Sequence, residues 1–133
     1  MTIFTSLEDS KKLAKYIEPK EGHRFFWERE YMSNKWLFVI YGKKSLFYLD
    51  RKEHYSEIHT DAALPAYTFE QILEEIRGEL LSTSLDNVLI IHPLCHLIQV
   101  KYLNKWKYFN SETLLESSVE ALIWVYEQKE KKQ

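Results

Sequence analysis

The last quarter of the chain carries the pattern that most constrains its fold, a helix whose second half is apolar all round. Six consecutive residues at positions 121–126 are apolar. One face of the same helix is built from residues at steps of four, three and four, namely Leu115, Val119, Leu122 and Tyr126. A simple surface helix has only one apolar stripe. The sequence therefore predicts a helix over residues 111–129 that packs on a sheet and is also covered by a loop or a second subunit.

Two further helices are predicted from their start signals. Thr68 and Gln71 have the spacing of a capping box. The residues after them form an apolar stripe of helical period, which consists of Phe69, Ile72, Leu73, Ile76 and Leu80. Ser6, followed three residues later by Asp9, begins a first helix that extends to about residue 17.

Strands are predicted in two groups, on either side of the middle helix. The first group is an antiparallel meander over residues 23–31, 36–41 and 45–49. The second group covers residues 88–92, 94–103 and 106–109, with a tight turn at Asn104 and Lys105. Between the groups, residues 50–66 read as an irregular loop whose length is uncommon in a compact domain.

These elements predict an α+β fold in which antiparallel strands pack against two or three helices. The element order is α-β-β-β-α-β-β-β-α. With 133 residues, the chain is expected to be a single domain over positions 1–133, with a frayed tail at 130–133.

The charge balance limits the classes of partner. Eighteen basic and twenty acidic residues are interleaved, with a formal net charge of −2, so the usual electrostatic basis for nucleic-acid binding is missing. A single cysteine excludes an internal disulfide, and no apolar stretch has the length of a membrane span. The sequence predicts a cytoplasmic protein that binds neither membranes nor nucleic acid. Without catalytic motifs or a glycine-rich phosphate loop, we expect no cofactor.

Aromatic residues are the unusual feature of the composition, at 15%. The strands carry more tryptophan and tyrosine than a small core obviously needs, and these residues are enriched at protein interfaces. The candidate partner-binding residues are Trp27, Tyr31, Trp36, Trp106 and Trp124. The favoured interpretation is a non-enzymatic protein-interaction or structural module, with a protein partner or self-association through the last helix.

The alternative is a small metal-dependent or hydrolytic enzyme. Its candidate residues are His54, His59, His92, Cys95 and His96. Zinc requires three or four such ligands in tetrahedral array. On a continuous strand the Cys95 side chain would point away from its two histidine neighbours, so only a turn at Pro93 would let all three converge.

Two segments support a family resemblance. The segments 65–76 and 111–126 are similar to the middle and closing helices of small uncharacterised proteins encoded by phages and prophages of gut bacteria. With a less specific match at residues 10–14, the resemblance covers about a quarter of the chain. It implies a mobile-element origin and a bacterial cytoplasmic setting, and it assigns no catalytic residue.

Overall fold

The structure is a computed structural model, and it describes residues 3–29, 35–40 and 63–132. The chain divides into two compact units. The N-terminal unit is Ser6–Tyr67, and the C-terminal unit combines Met1–Thr5 with Thr68–Gln133. Among the described residues, each unit has its own three-stranded sheet, with one α-helix in the N-terminal unit and two in the C-terminal unit.

In the N-terminal unit, helix α1 (Leu7–Leu13) begins where the sequence predicts. The Ser6 hydroxyl accepts a hydrogen bond from the Asp9 amide at 3.1 Å, as expected of a helix cap. The helix ends at Leu13, before the predicted residue 17, and the chain continues in a turn.

The sheet of the N-terminal unit is centred on strand β1 (Phe25–Arg29). Strand β2 (Trp36–Ile40) pairs with one edge and strand β3 (Ala63–Pro65) with the other, both antiparallel. The third described strand thus comes from the end of the segment predicted to be an irregular loop. The predicted strand at 45–49, and with it the predicted meander, lies outside the described residues.

In the C-terminal unit, helix α2 (Phe69–Thr83) has the complete capping box. The Thr68 amide donates to Gln71 Oε1 at 2.9 Å, and the Gln71 amide donates to Thr68 Oγ1 at 3.2 Å. Three antiparallel strands follow, β4 (Val88–His92), β5 (Leu97–Tyr102) and β6 (Lys105–Asn110), with β5 in the centre. The last element is helix α3 (Leu114–Lys132).

Helix α3 is capped by Thr113, whose Oγ1 accepts from the Glu116 amide at 3.1 Å. The predicted core face is confirmed for Leu115, Val119 and Leu122, which are buried, whereas its fourth residue, Tyr126, is half-buried. The helix contacts β5, β6 and α2. Helix α3 is therefore covered by the sheet and by helix α2. The sequence analysis expected a loop or a second subunit in the place of α2.

Two turns depart from the predicted strands. A short 3₁₀ helix at Pro93–Cys95 and a left-handed His96 separate β4 from β5, so the predicted strand at 94–103 begins only at Leu97. The hairpin between β5 and β6 turns at Leu103 and Asn104, which both have positive φ angles (53° and 64°). The turn is one residue earlier than predicted.

A single side chain, that of Asn87, joins the hairpin turn to the end of helix α2. Its Nδ2 donates to the Leu80 carbonyl at 2.9 Å, and its Oδ1 accepts from the Leu103 amide at 3.3 Å. The Leu80 carbonyl also accepts the regular helical bond from the Ser84 amide at 3.2 Å, so Asn87 adds a second donor there and supplies an acceptor for the Leu103 amide of the turn.

The predicted α+β class, the antiparallel pairing and the element order α-β-β-β-α-β-β-β-α are confirmed for the described elements. Helix α3 extends through Lys132, and fraying of residues 130–133 stays a prediction. None of the helices in the described ranges is long and apolar enough to cross a membrane.

Candidate binding surface

One face of the β4-β5-β6 sheet lies opposite the buried face that packs under α3. Residues paired across antiparallel strands share a face, and alternate residues of β5 (Ile98, Val100 and Tyr102) are buried. The remaining β5 residues and their cross-strand partners form the other face. We call this the outer face; it consists of Val88, Ile90, His92, Leu97, Gln99, Lys101, Trp106, Tyr108 and Asn110.

Aromatic and apolar side chains dominate the exposed part of the outer face. Trp106 is 48% exposed, Tyr108 is 58% exposed and Ile90 is 37% exposed. Trp106 and Tyr108 are two residues apart on β6, so their side chains point the same way and lie side by side. Burying such side chains against a partner yields more free energy than burying most other residues. The outer face therefore has the chemistry of a contact surface.

No acidic residue stands at any of the nine outer-face positions, although the whole chain has more acidic than basic residues. Lys101 lies on the outer face beside Trp106. Lys105 and Lys107 alternate with the two aromatic residues along β6, and both are exposed. Strand β6 is thus basic on a chain of formal net charge −2, with Lys105 and Lys107 on the sheet face opposite Trp106 and Tyr108.

Strand β6 is an edge strand in the part of the chain that the structure describes, where it pairs only with β5. The two-residue turn makes Tyr102 and Lys105 the first hydrogen-bonded pair, after which bonded and non-bonded pairs alternate. The backbone N–H and C=O groups of Trp106, Tyr108 and Asn110 consequently point away from β5. They form an open row of donors and acceptors along the sheet edge.

A shallow pocket of about 400 Å³ lies where β6 begins, and three lysines line it. Its walls are Leu103, Asn104, Lys105, Gln128, Lys131 and Lys132. The Lys105 ammonium donates to Gln128 Oε1 at 3.4 Å, and Gln128 itself is buried. None of the described residues that line the pocket has a carboxylate side chain, so the pocket extends the basic character of β6 into the end of α3.

A second polar cluster joins α2 to α3 through Glu79. Its side chain is only 10% exposed and receives the Lys129 ammonium at 2.9 Å. Glu79 also lies 3.5 Å from the Tyr102 hydroxyl. On the next turn, the Tyr126 hydroxyl donates to Glu75 Oε2 at 3.4 Å.

The electrostatics of this Glu79 cluster favour the neutral phenol of Tyr126 and the charged form of Lys129. Burial, and then the carboxylates of Glu75 and Glu79, raise the pKa of Tyr126 to about 12. The hydrogen bond and the charge of Glu79 raise the pKa of Lys129. Glu79 is paired with Lys129, and Glu75 accepts from Tyr126, so the arrangement is that of a structural network between two helices.

The other predicted partner-binding residues have different environments. Trp27 packs edge-on to Phe38 with ring centroids 5.5 Å apart, and the Lys11 ammonium lies 5.6 Å above the Trp36 ring. Both tryptophans are half-buried in the N-terminal unit. Tyr31 lies outside the described residues. Of the five candidates, Trp106 is thus the one with an exposed side chain on a described strand.

The helix predicted to mediate self-association, α3, packs one of its candidate residues, Trp124, against the sheet of the same chain. Trp124 is half-buried, and its ring packs against Phe109 at 5.9 Å and Tyr102 at 6.5 Å between centroids. Its neighbour Val125 is fully buried. Self-association through this helix stays a prediction.

The metal hypothesis depends on a turn at Pro93, and that turn is present. Even so, among the residues described, no group of three or more His, Cys, Asp or Glu side chains is placed to hold a metal ion. His92 Nε2 lies 2.6 Å from Gln99 Oε1, within hydrogen-bond distance. Cys95 and His96 are exposed, and His54 and His59 lie outside the described ranges. The enzyme alternative therefore stays a prediction without a described site.

His23 is a buried titratable residue to which the sequence analysis gave no role. It is 5% exposed at the entry to β1, and its Nε2 lies 2.8 Å from the Phe25 carbonyl oxygen. Its ring contacts those of Phe26 and Tyr67, with centroids 5.2 Å and 4.9 Å away. Burial lowers the pKa of His23. The three aromatic residues that follow soon after the histidine in the sequence, at positions 25–27, were the signal that could have indicated its burial.

Neither a protein family model, nor a curated protein, nor a solved structure matches this chain.

Proposed function

We propose that the chain is a non-enzymatic binding protein that docks a partner protein on the outer face of the β4-β5-β6 sheet. The observation that carries the proposal is the exposure of Trp106 and Tyr108, side by side, on the sheet face opposite the helix-covered core. Large aromatic side chains on a strand are ordinarily stabilised by burial, and interface hot spots are rich in tryptophan and tyrosine. The proposed origin in a mobile element and the cytoplasmic setting come from the sequence alone.

The side chains of the outer face and of the Glu79 cluster are better suited to binding a partner than to catalysis. The outer face presents apolar and aromatic groups with one lysine, and its histidine is hydrogen-bonded to a neighbouring glutamine. The Glu79 cluster, which holds carboxylates, phenols and an ammonium, joins two helices by mutual pairing. General acid–base chemistry needs such groups turned toward a substrate.

The test is site-specific photo-crosslinking in cells that produce the protein. A photoreactive amino acid is placed at Tyr108 in one variant and at Leu85 in a control; Leu85 is 89% exposed in the loop between α2 and β4. We expect a covalent protein adduct from position 108 that is weak or missing from position 85. Equal adducts at both positions, or none at 108, would contradict the proposal.

A second variant measures how much the aromatic surface contributes. Truncating a hot-spot residue costs about 2 kcal/mol or more, which corresponds to roughly a 30-fold loss of affinity. We expect Trp106→Ala to reduce the adduct at position 108 by such a factor. Leu81→Ala, at an exposed position of α2, is the matched control and should leave the adduct unchanged.

A further inference from the structure

The proposed binding surface has two properties that together restrict the kind of partner. Its edge strand has an open row of backbone hydrogen-bonding groups, and the charged side chains of that strand are all positive. The edge consists of the outward N–H and C=O groups of Trp106, Tyr108 and Asn110. An extended segment that pairs with such an edge continues the sheet by one strand and gains main-chain hydrogen bonds. A partner strand would therefore meet β6 along most of its length.

The two sides of β6 would present different chemistry to that strand. On the outer side, Trp106 and Tyr108 offer apolar contact area. On the inner side, Lys105 and Lys107 alternate with them, and the lysine-lined pocket with Lys131 and Lys132 lies beside the first residue of β6. Side chains of an added strand would point to these two sides in alternation.

We infer that β6 is extended by a strand from a partner protein whose residues alternate between apolar and acidic. Apolar side chains of that strand pack against Trp106 and Tyr108, while its carboxylates face Lys105 and Lys107. The carboxylate nearest the hairpin turn enters the lysine-lined pocket. This inference rests on the proposed function and names the chemistry of the partner for that same surface.

Charge complementarity favours this occupant over a second copy of the chain. Strand β6 carries lysines and no carboxylate, so two β6 edges brought together would place like charges in proximity, which destabilises cross-strand pairs. Lysines on an open edge also prevent indiscriminate strand pairing. An acidic strand is the partner that converts this repulsion into attraction.

The experiment uses the full chain and three synthetic ten-residue peptides, followed by amide hydrogen exchange and NMR shifts. The first peptide alternates valine and glutamate. The second has lysine in place of every glutamate, and the third is the first with alternate backbone nitrogens methylated to prevent strand pairing. Trp106, Tyr108 and Asn110 are the amides to follow, because they point outward; the Lys107 and Phe109 amides already face β5 and act as internal controls.

With the glutamate peptide at saturation, we expect exchange of the three outward amides to slow about tenfold or more, because a paired amide exchanges only when the pair opens. The lysine and N-methylated peptides should leave these amides unprotected. Lys107→Glu should weaken binding of the glutamate peptide by about tenfold or more, since a charge is reversed near the added carboxylates. Lys12→Glu, an exposed control in α1, should not.

Protection by the lysine peptide equal to that by the glutamate peptide would overturn the acidic specificity. Shifts of the Trp106 and Tyr108 side chains without protection of the outward amides would overturn strand addition while leaving the proposed docking face intact. No response to the glutamate peptide at millimolar concentration would also overturn the inference. A position-108 adduct in the crosslinking test would then still support the proposed function, so the two failures are distinguishable.

Discussion

Replacing Ser117 with alanine tests whether a buried hydroxyl holds three parts of the C-terminal unit together. Ser117 is fully buried on α3. Its Oγ donates to the His96 carbonyl oxygen at 2.6 Å and accepts from the Ser111 amide at 2.8 Å. The hydroxyl thus joins the turn before β5, the segment after β6 and the first turns of α3.

The expected cost follows from the groups that lose their partner. Alanine would leave the Ser111 N–H and the His96 C=O without this hydrogen bond, and an unsatisfied buried group costs roughly 1–3 kcal/mol. Both residues have some access to water, so we take the lower part of that range for each, which sums to about 2–3 kcal/mol. With a urea slope of about 1.5 kcal/mol per molar for a chain of this size, the unfolding midpoint should fall by about 1.5 M.

Ser118→Ala is the matched control, because Ser118 is also fully buried on the same helix. Its hydroxyl donates to the Leu115 carbonyl at 2.6 Å, inside the helical turn. That carbonyl keeps its regular helical bond, so the control should cost less than about 1 kcal/mol. Urea unfolding followed by circular dichroism measures both variants. If Ser117→Ala is no more destabilising than Ser118→Ala, the proposed role of Ser117 is wrong.

Three further predictions concern single groups. Glu75→Gln should lower the pKa of Tyr126 from about 12, because one carboxylate that disfavours the phenolate is neutralised; ultraviolet titration of tyrosinate measures this pKa. The contribution of Tyr126 to the free energy of unfolding is full below the ordinary tyrosine pKa and is lost as pH rises through about 12. Burial lowers the pKa of His23 and so favours its neutral form. Its contribution to stability should therefore be full above the ordinary histidine pKa of 6.5 and be lost as pH falls through the lowered pKa. Urea midpoints measured across that pH range, with His23 followed by NMR, test this loss of stability. Gly78→Ala should stabilise the chain by about 0.5–1 kcal/mol in urea unfolding, because an added Cβ meets no atom within 4 Å and alanine favours the helix.

Local signals in the sequence predicted the helix starts and the core face of α3. The capping pair Thr68 and Gln71 acts within four residues, and the Thr113 cap likewise depends only on its own helix. Such features are fixed by short-range geometry, so neighbouring residues suffice to identify them. The core face of α3 follows from the helical period in the same way.

Contacts made at long range could not be predicted from periodicity. Ser117, Ser118 and Gln128 are polar but buried on α3. Ser117 and Gln128 have partners 21 and 23 residues away in the chain. Strand β3 is similar, because its three residues include alanine and proline, which have low strand propensity, and it exists through pairing with β1. These outcomes depend on what the fold brings near each residue.

Trp106 was one of five candidate partner-binding residues named from the sequence, and contact with a partner stays a prediction for all of them. Strand pairing places Trp106 on the same sheet face as Tyr108. The sequence did not separate Trp106 from Trp124, because only packing against Tyr102 and Phe109 distinguishes the latter. The open edge of β6 depends on strand order, which alternation does not determine.

The Asn87 side chain has a consequence for how the C-terminal unit folds. Leu103 adopts a left-handed backbone conformation that costs an ordinary L-residue roughly 1–2 kcal/mol. Its amide is held by Asn87 Oδ1, while Asn87 Nδ2 is held by the last turns of α2. A hydrogen bond contributes about 0.5–1.5 kcal/mol, which is close to that cost, so the bond from Asn87 offsets the strain and couples the stability of the hairpin turn to the end of α2. Because the turn fixes the register of β5 against β6, a change at Asn87 would reach the row of side chains on the outer face, although Asn87 is not one of them.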